Sequence, residues 1–226
     1  GEGAALVLGA RRRERLAEVA ARARRAGASK TVELVLDVRD PASILAFAQD
    51  GLAATEGCHI LVNNAGGARG LDPVERGTDA DWSEMLESNV LGVLRMTRAL
   101  LPALVTSGDG HVVFIGSIAG HQASEGGSAY CGSKAAVTSI RQALRLELCG
   151  KPVRVSSVDP GMVETEFSVA RFHGDSERAA KVYAGVPNPL VAEDIADVIR
   201  FVVTRPAHVN VDEILVTPRA QAAVYK

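Results

Sequence analysis

The chain has 226 residues, 47% hydrophobic and 23% charged, with a formal net charge of −2. That length holds one domain with a sizeable core, and the near-neutral balance leaves no basic surplus for nucleic acid or an anionic membrane. No apolar run approaches the ~20 residues of a membrane span, no secretory signal is visible, and Cys58, Cys131 and Cys149 lack metal-ligand spacing, so a reducing, cytoplasmic setting without a metal centre is expected.

Residues 4–8 (AALVL) form a short continuous apolar run, as in a buried parallel strand, and Gly9-Ala10 ends it. The spacing predicts a helix over 13–26, with Leu16, Val19, Ala20 and Ala23 on one face and Gly27 as its stop. A strand over 31–36 runs into Asp37-Val38, and Asp40-Pro41 reads as a cap followed by proline at the first helical position. A third strand, 59–62, enters Asn63-Asn64-Ala65-Gly66-Gly67. After a polar loop, Thr78 or Asp79 caps one long helix over about 81–104. The strand over 111–115 leads through a Gly/Ser-rich loop into a helix over about 128–148. A strand over 153–158 ends at Asp159-Pro160-Gly161, and 162–189 reads as an irregular or short-helical lid. A helix over 192–203 and a strand over 211–216 complete the chain, with no internal repeat.

Strands alternating with helices imply a parallel sheet covered on both faces, with ligands bound beyond the carboxyl ends of the strands. The polar and glycine clusters fall at those ends: residues 9–12, Asp37, residues 63–67, Gly116-Ser117 and Pro160-Gly161.

The residues at this edge suggest a chemistry. Tyr130 and Lys134 are one helical turn apart and share a face, while the loop after the fourth strand lets Ser117 approach them. A lysine cation favours the phenolate and lowers a tyrosine pKa from ~10, so such a phenol can exchange a proton with an alcohol or ketone oxygen. The same pair could also be an ordinary surface contact. Arg11, Arg12 and Arg13 open a helix, where cations oppose the macrodipole unless they face an anion. A nucleotide 2′-phosphate would suit them, and no carboxylate stands at Gly9-Ala10 to favour an unphosphorylated ribose; a solvated basic turn is the other reading. Asp37 could accept from an adenine amine or simply end a strand, and Asn89 sits inside a helix where asparagine is a mediocre former.

Taken together, NNAG at 63–66, Asn89, Ser117, Tyr130-x-x-x-Lys134 and Pro160-Gly161 resemble the short-chain dehydrogenase/reductase family along nearly the whole chain. ARRRERL at 10–16, the EFS…RF.GD pattern at 166–175 and RPAHVNVDEI at 205–214 resemble its NADP-dependent serine/3-hydroxy acid dehydrogenase branch. The resemblance implies a single Rossmann-like, doubly wound domain over 1–226 that moves hydride between NADP(H) and a small alcohol or carbonyl, with 3-hydroxy acids among the candidates. It implies Tyr130 as general acid/base, with Lys134 lowering its pKa and holding the nicotinamide ribose. Ser117 would orient the substrate oxygen, and Asn89 would hold a water that links Lys134 to solvent. Arg11 and Arg12 match the 2′-phosphate site, Asp37 and Val38 the adenine pocket, Asn64, Ala65 and Gly66 the cofactor-side turn, and Pro160, Gly161 and Thr165 the nicotinamide wall. Homodimers or homotetramers would form through the helices near 81–104 and 128–148.

The family's opening strand, TGxxxGxG turn and helix, roughly 20–25 residues at usual element lengths, have no counterpart in these residues. A complete protein that carries them is the expectation; a truncated protein or a natural degenerate relative would show the same gap. The strand would sit mid-sheet, and without it unpaired backbone is expected in the core. A catalytically impaired or non-enzymatic, cofactor-binding scaffold is the alternative function.

Overall fold

The computed structural model describes residues 2–224. Six strands and eight α-helices alternate along them: β1 (Ala5–Ala10), α1 (Arg13–Arg25), β2 (Lys30–Val35), α2 (Pro41–Thr55), β3 (Ile60–Asn63), α3 (Asp79–Leu86), α4 (Gly92–Thr106), β4 (Gly110–Ile115), α5 (Ser128–Glu147), β5 (Val153–Pro160), α6 (Phe167–Arg171), α7 (Ser176–Lys181), α8 (Ala192–Val203) and β6 (Glu213–Val216). Every strand pairing is parallel.

Side-chain alternation along β4 explains why both sheet faces are covered. Val112 and Phe114 enter a cluster with Leu61, Met96, Leu100 and Val155, while Val113 joins Val158, Ile195 and Val202 on the opposite side. Each of the fully buried side chains Phe114, Val112, Val113 and Val155 contributes about 1.5–3 kcal/mol relative to exposure.

The strands form two ladders, β1–β2 and β3–β4–β5–β6. Among the described residues no ladder joins β1 to β3, so each has one unpaired edge, in keeping with the expected mid-sheet gap. Ile60 and Val62 of β3 are 43% and 37% exposed. Helix α2 packs on both β1 and β2 and against α4, bringing Leu36, Ile44 and Ala48 into the same cluster as Leu61.

Asp40 caps α2 as expected, its carboxylate accepting from the Ala42 N–H at 2.9 Å, and Thr78 caps α3 by accepting from the Asp81 N–H at 3.2 Å. Three expectations change. The long helix is interrupted by a π-helical turn, Glu87–Leu91, between α3 and α4. Val19 is 46% exposed because α1 buries only the narrower stripe of Leu16 and Ala20. The last strand starts later than expected, since Asn210 satisfies the Val155 N–H with its side-chain oxygen at 2.8 Å.

Candidate active site

The carboxyl ends of β4 and β5 lie side by side. A Cβ at Gly116 would collide with the Asp159 carboxylate, so only glycine lets the two strand ends pass this closely. Ser117 follows in extended backbone and accepts from the Ala119 N–H at 3.1 Å, which starts the short 3₁₀ turn Ile118–Gly120. The Ser117 hydroxyl also faces Tyr130, on the first turn of α5, and favours its ionised form. One turn on, the Lys134 ammonium donates to the Ile115 carbonyl at 2.8 Å and stands 6.0 Å from the centre of the Tyr130 ring.

Burial pushes the Tyr130 phenol above its ordinary value; the Ser117 hydroxyl and the nearby Arg171 charge pull it back. Lys134, beside the same ring, is itself pushed down to about 8 by burial, with the Asp159 charge opposing.

Asn89 is 1% exposed and lies in the π-helical turn. Its amide donates to the Gly67 carbonyl at 2.8 Å and to Ser133 Oγ at 2.9 Å, and its carbonyl accepts from the Gly67 N–H at 2.9 Å. A Cβ on Gly66 would sit 2.7 Å from the same asparagine oxygen. Asn89 therefore clamps the turn after β3 onto α5. Asn63 fixes the strand end below by donating to Thr97 Oγ1 at 3.0 Å.

A cavity of about 750 Å³ opens at this edge and brings together Asn64, Gly66, Ser117, Tyr130, Lys134, Pro160, Gly161 and Thr165. Asn89 stands behind its wall, and Ala65, Arg11, Arg12, Asp37 and Val38 are not among its lining residues. Arg11 is exposed at the end of β1. Arg12 and Arg15 both reach Glu166 of the lid, at 2.7 and 2.5 Å. The Asp37 carboxylate is held by the Arg39 guanidinium at 2.6 Å, and that hydrogen bond lowers it to about 2, so its oxygens are engaged within the protein. The Val38 carbonyl lies where a Cβ on Gly92 would fall, at 2.9 Å, so this turn packs tightly on the start of α4.

Several side chains not singled out from the sequence complete the site. Asp159 is 1% exposed, accepts from Ser157 Oγ and lies 2.6 Å from His121 Nε2. Its position before Pro160-Gly161 was the available signal. Glu213 brings a third ligand-type atom within 4.8 Å, but Arg141 already binds its carboxylate at 2.7 Å. From the lid, Phe167 meets the Tyr130 ring edge-on at 5.9 Å, and Arg178 stacks on Phe172 at 4.5 Å. The cavity lining includes the cations Lys134, Arg171, Arg178 and Lys181 and no aspartate or glutamate.

The chain is similar to known proteins in sequence and in fold. The family model described as short chain dehydrogenase matches residues 1–175. An uncharacterized oxidoreductase of Mycobacterium tuberculosis is 52% identical over 156 residues, 69% of this chain and 62% of that protein, so the match spans less than two thirds of the relative's length. An NADP-dependent 3-hydroxy acid dehydrogenase of Schizosaccharomyces pombe is 41% identical over 216 residues, 96% of this chain and 83% of that one. A solved closed form of serine dehydrogenase complexed with NADP+ superposes with a TM-score of 0.89 at 37% identity, covering 98% of this chain and 88% of that one. The chain belongs to the short-chain dehydrogenase family.

Proposed function

We propose that this chain is an NADP-dependent oxidoreductase that interconverts a secondary alcohol and its carbonyl, with an acid-tailed compound such as a 3-hydroxy acid as substrate. The observation that carries the reading is the meeting of Ser117, Tyr130 and Lys134, one helical turn beyond Tyr130, in the wall of one 750 Å³ cavity. A purely binding scaffold has no need of that hydroxyl pair beside a lysine.

The residues fit the cofactor. The glycine at 66, where a side chain would strike Asn89, leaves backbone open to close approach, and Arg11 and Arg12 stand exposed at the end of β1 for a 2′-phosphate. Asn64, Ala65 and Gly66 would line the cofactor side of the turn, and Pro160, Gly161 and Thr165 the nicotinamide side. Val38 would flank the adenine, with Asp37 reaching it only through a change in its pairing with Arg39. When bound, NADP(H) supplies or accepts the hydride.

Ser117 holds the substrate oxygen next to the phenol. In oxidation, the Tyr130 oxygen takes the hydroxyl proton as the carbon–oxygen double bond forms; in reduction it returns that proton. Lys134 is placed to hold the ribose. Arg178 and Lys181 provide the positive wall for an acid group. The test compares turnover of 3-hydroxy acids with neutral secondary alcohols of the same length. An R178M/K181M double variant is expected to raise KM roughly tenfold for the acid and little for the neutral alcohol; equal effects on both overturn the acid-tailed reading.

The exposed leucines Leu86, Leu91, Leu94 and Leu146 support a homodimer or homotetramer through the α3–α4 and α5 face, which size-exclusion chromatography with light scattering tests. No helix among the described residues is long and apolar enough to cross a membrane. Free Cys58, Cys131 and Cys149 suit a reducing, cytoplasmic setting.

A further inference from the structure

The lid reaches the phenol through Arg171, the last residue of α6. Reciprocal bonds seat it on the loop after β3. The Arg171 Nε donates to the Gly70 carbonyl at 2.7 Å, the Gly70 N–H donates to the Arg171 carbonyl at 2.9 Å, and Arg69 donates to the Ala170 carbonyl at 3.0 Å. So held, the Arg171 guanidinium lies 5.7 Å from the centre of the Tyr130 ring, inside the 6.0 Å of Lys134.

We propose that Arg171 is a positioning residue for Tyr130: docking of α6 lays a second cation, besides Lys134, on the phenol, so the phenol is made competent by the lid being down. The inference rests on the acid/base role proposed for Tyr130. A cation over an aromatic face is attracted to the ring, and more strongly once the ring carries the phenolate charge. Burial raises the phenol, so a second cation at its face acts in the direction the chemistry requires.

The other groups facing the ring do not supply the same charge. Cys131 on α5 acts in the opposite sense. Asp72, Arg76 and Asp81 line the neighbouring cleft on the far side, where Asp81 is within 3.2 Å of His173, and Arg69 is held by Glu84 at 2.8 Å. Substrate or cofactor that favours the docked lid would therefore also favour loss of the phenol proton, and release would return it.

The experiment uses R171M and R171Q, the second keeping a donor for the Gly70 carbonyl, and R171K, which keeps the charge. Two readouts are taken on the full-length protein: tyrosinate absorbance against pH, with the Y130F trace subtracted to isolate one of the three tyrosines, and the pH profile of kcat/KM for alcohol oxidation with a 3-hydroxy acid and with a neutral alcohol. In R171M and R171Q the tyrosinate midpoint and the ascending limb are expected to move up by about half to one pH unit, a roughly threefold to tenfold loss below the limb, with both alcohols. R171K is expected to restore most of it. An unmoved midpoint, or a raised KM confined to the acid with the limb in place, overturns the inference. If the wild-type protein oxidises no alcohol, the proposed activity fails, while the tyrosinate midpoint still decides whether Arg171 acts on Tyr130.

Discussion

Glu166 and Arg12, 154 residues apart in sequence, are joined at 2.7 Å, with Arg15 on the other carboxylate oxygen. The anion that the arginine-rich start of α1 calls for is thus provided by the lid itself. A 2′-phosphate placed on Arg12 has to share it with that carboxylate. Glu166→Gln is expected to tighten 2′,5′-ADP by roughly two- to fivefold, the modest scale of an exposed ion pair, and to leave 5′-AMP unchanged. Isothermal titration at low and high salt checks this; equal gains for both nucleotides would remove the competition.

Tyr130→Phe keeps the ring that meets Phe167 and deletes the hydroxyl that faces Ser117. Turnover is expected to fall by at least about a hundredfold, within the range of a lost general acid/base. Thermal stability and NADP affinity stay near wild type. Substantial activity in this variant would be incompatible with Tyr130 as the proton-transfer group.

Asn89→Ala is expected to be costly for stability. It leaves both backbone groups of Gly67 and the Ser133 hydroxyl without their partner in a region where Asn89 itself is 1% exposed. A loss of about 2–3 kcal/mol is expected from such orphaned polar groups. Urea unfolding checks it, and a change below about 0.5 kcal/mol would mean that solvent or a neighbour takes over those bonds.

The ring of His111 governs the acid side of the stability curve. It is fully buried on β4 with Nε2 2.8 Å from Ser156 Oγ. Burial, and then the Arg154 charge, push it down to about 4 from an ordinary 6.5, with Asp109 opposing. The unfolded chain therefore takes up the proton first. This group's contribution is intact above pH 6.5 and is lost toward pH 4, at up to about 1.4 kcal/mol per pH unit. His111→Gln is expected to flatten stability between those limits; Asp37, lowered to about 2, acts only in the window below 3.8. An unchanged slope in the glutamine variant would assign the acid loss to other groups.

The strand at 111–115 was legible because a parallel strand buried on both faces needs a run of apolar residues, and the pairing of Tyr130 with Lys134 was legible because helical spacing alone puts them on one face. Local caps at Asp40 and Thr78 could be read for the same reason. What escaped was set by contacts distant in sequence. Asn89 could be noticed as an odd residue in a helix, but its partners are 22 and 44 positions away. The π-helical turn shifts the helix by a fraction of a turn, too little to alter a pattern of apolar residues. The charge of Glu166 was visible, yet nothing local tied it to Arg12 and Arg15. Likewise, a Tyr/Lys pair in sequence does not reveal that the lysine also donates to the Ile115 carbonyl.

The pairing of β5 bears on how the molecule breathes. All eight of its residues are buried, and its backbone is bonded to β4 on one side and to β6 on the other. Amide protons of β5 are therefore expected to exchange only through an opening that dismantles this ladder, whereas those of the short helices α6 and α7 exchange through smaller, earlier ones. Asp159 and Pro160 end this strand, so the floor of the cavity stays put while its cover is free to move.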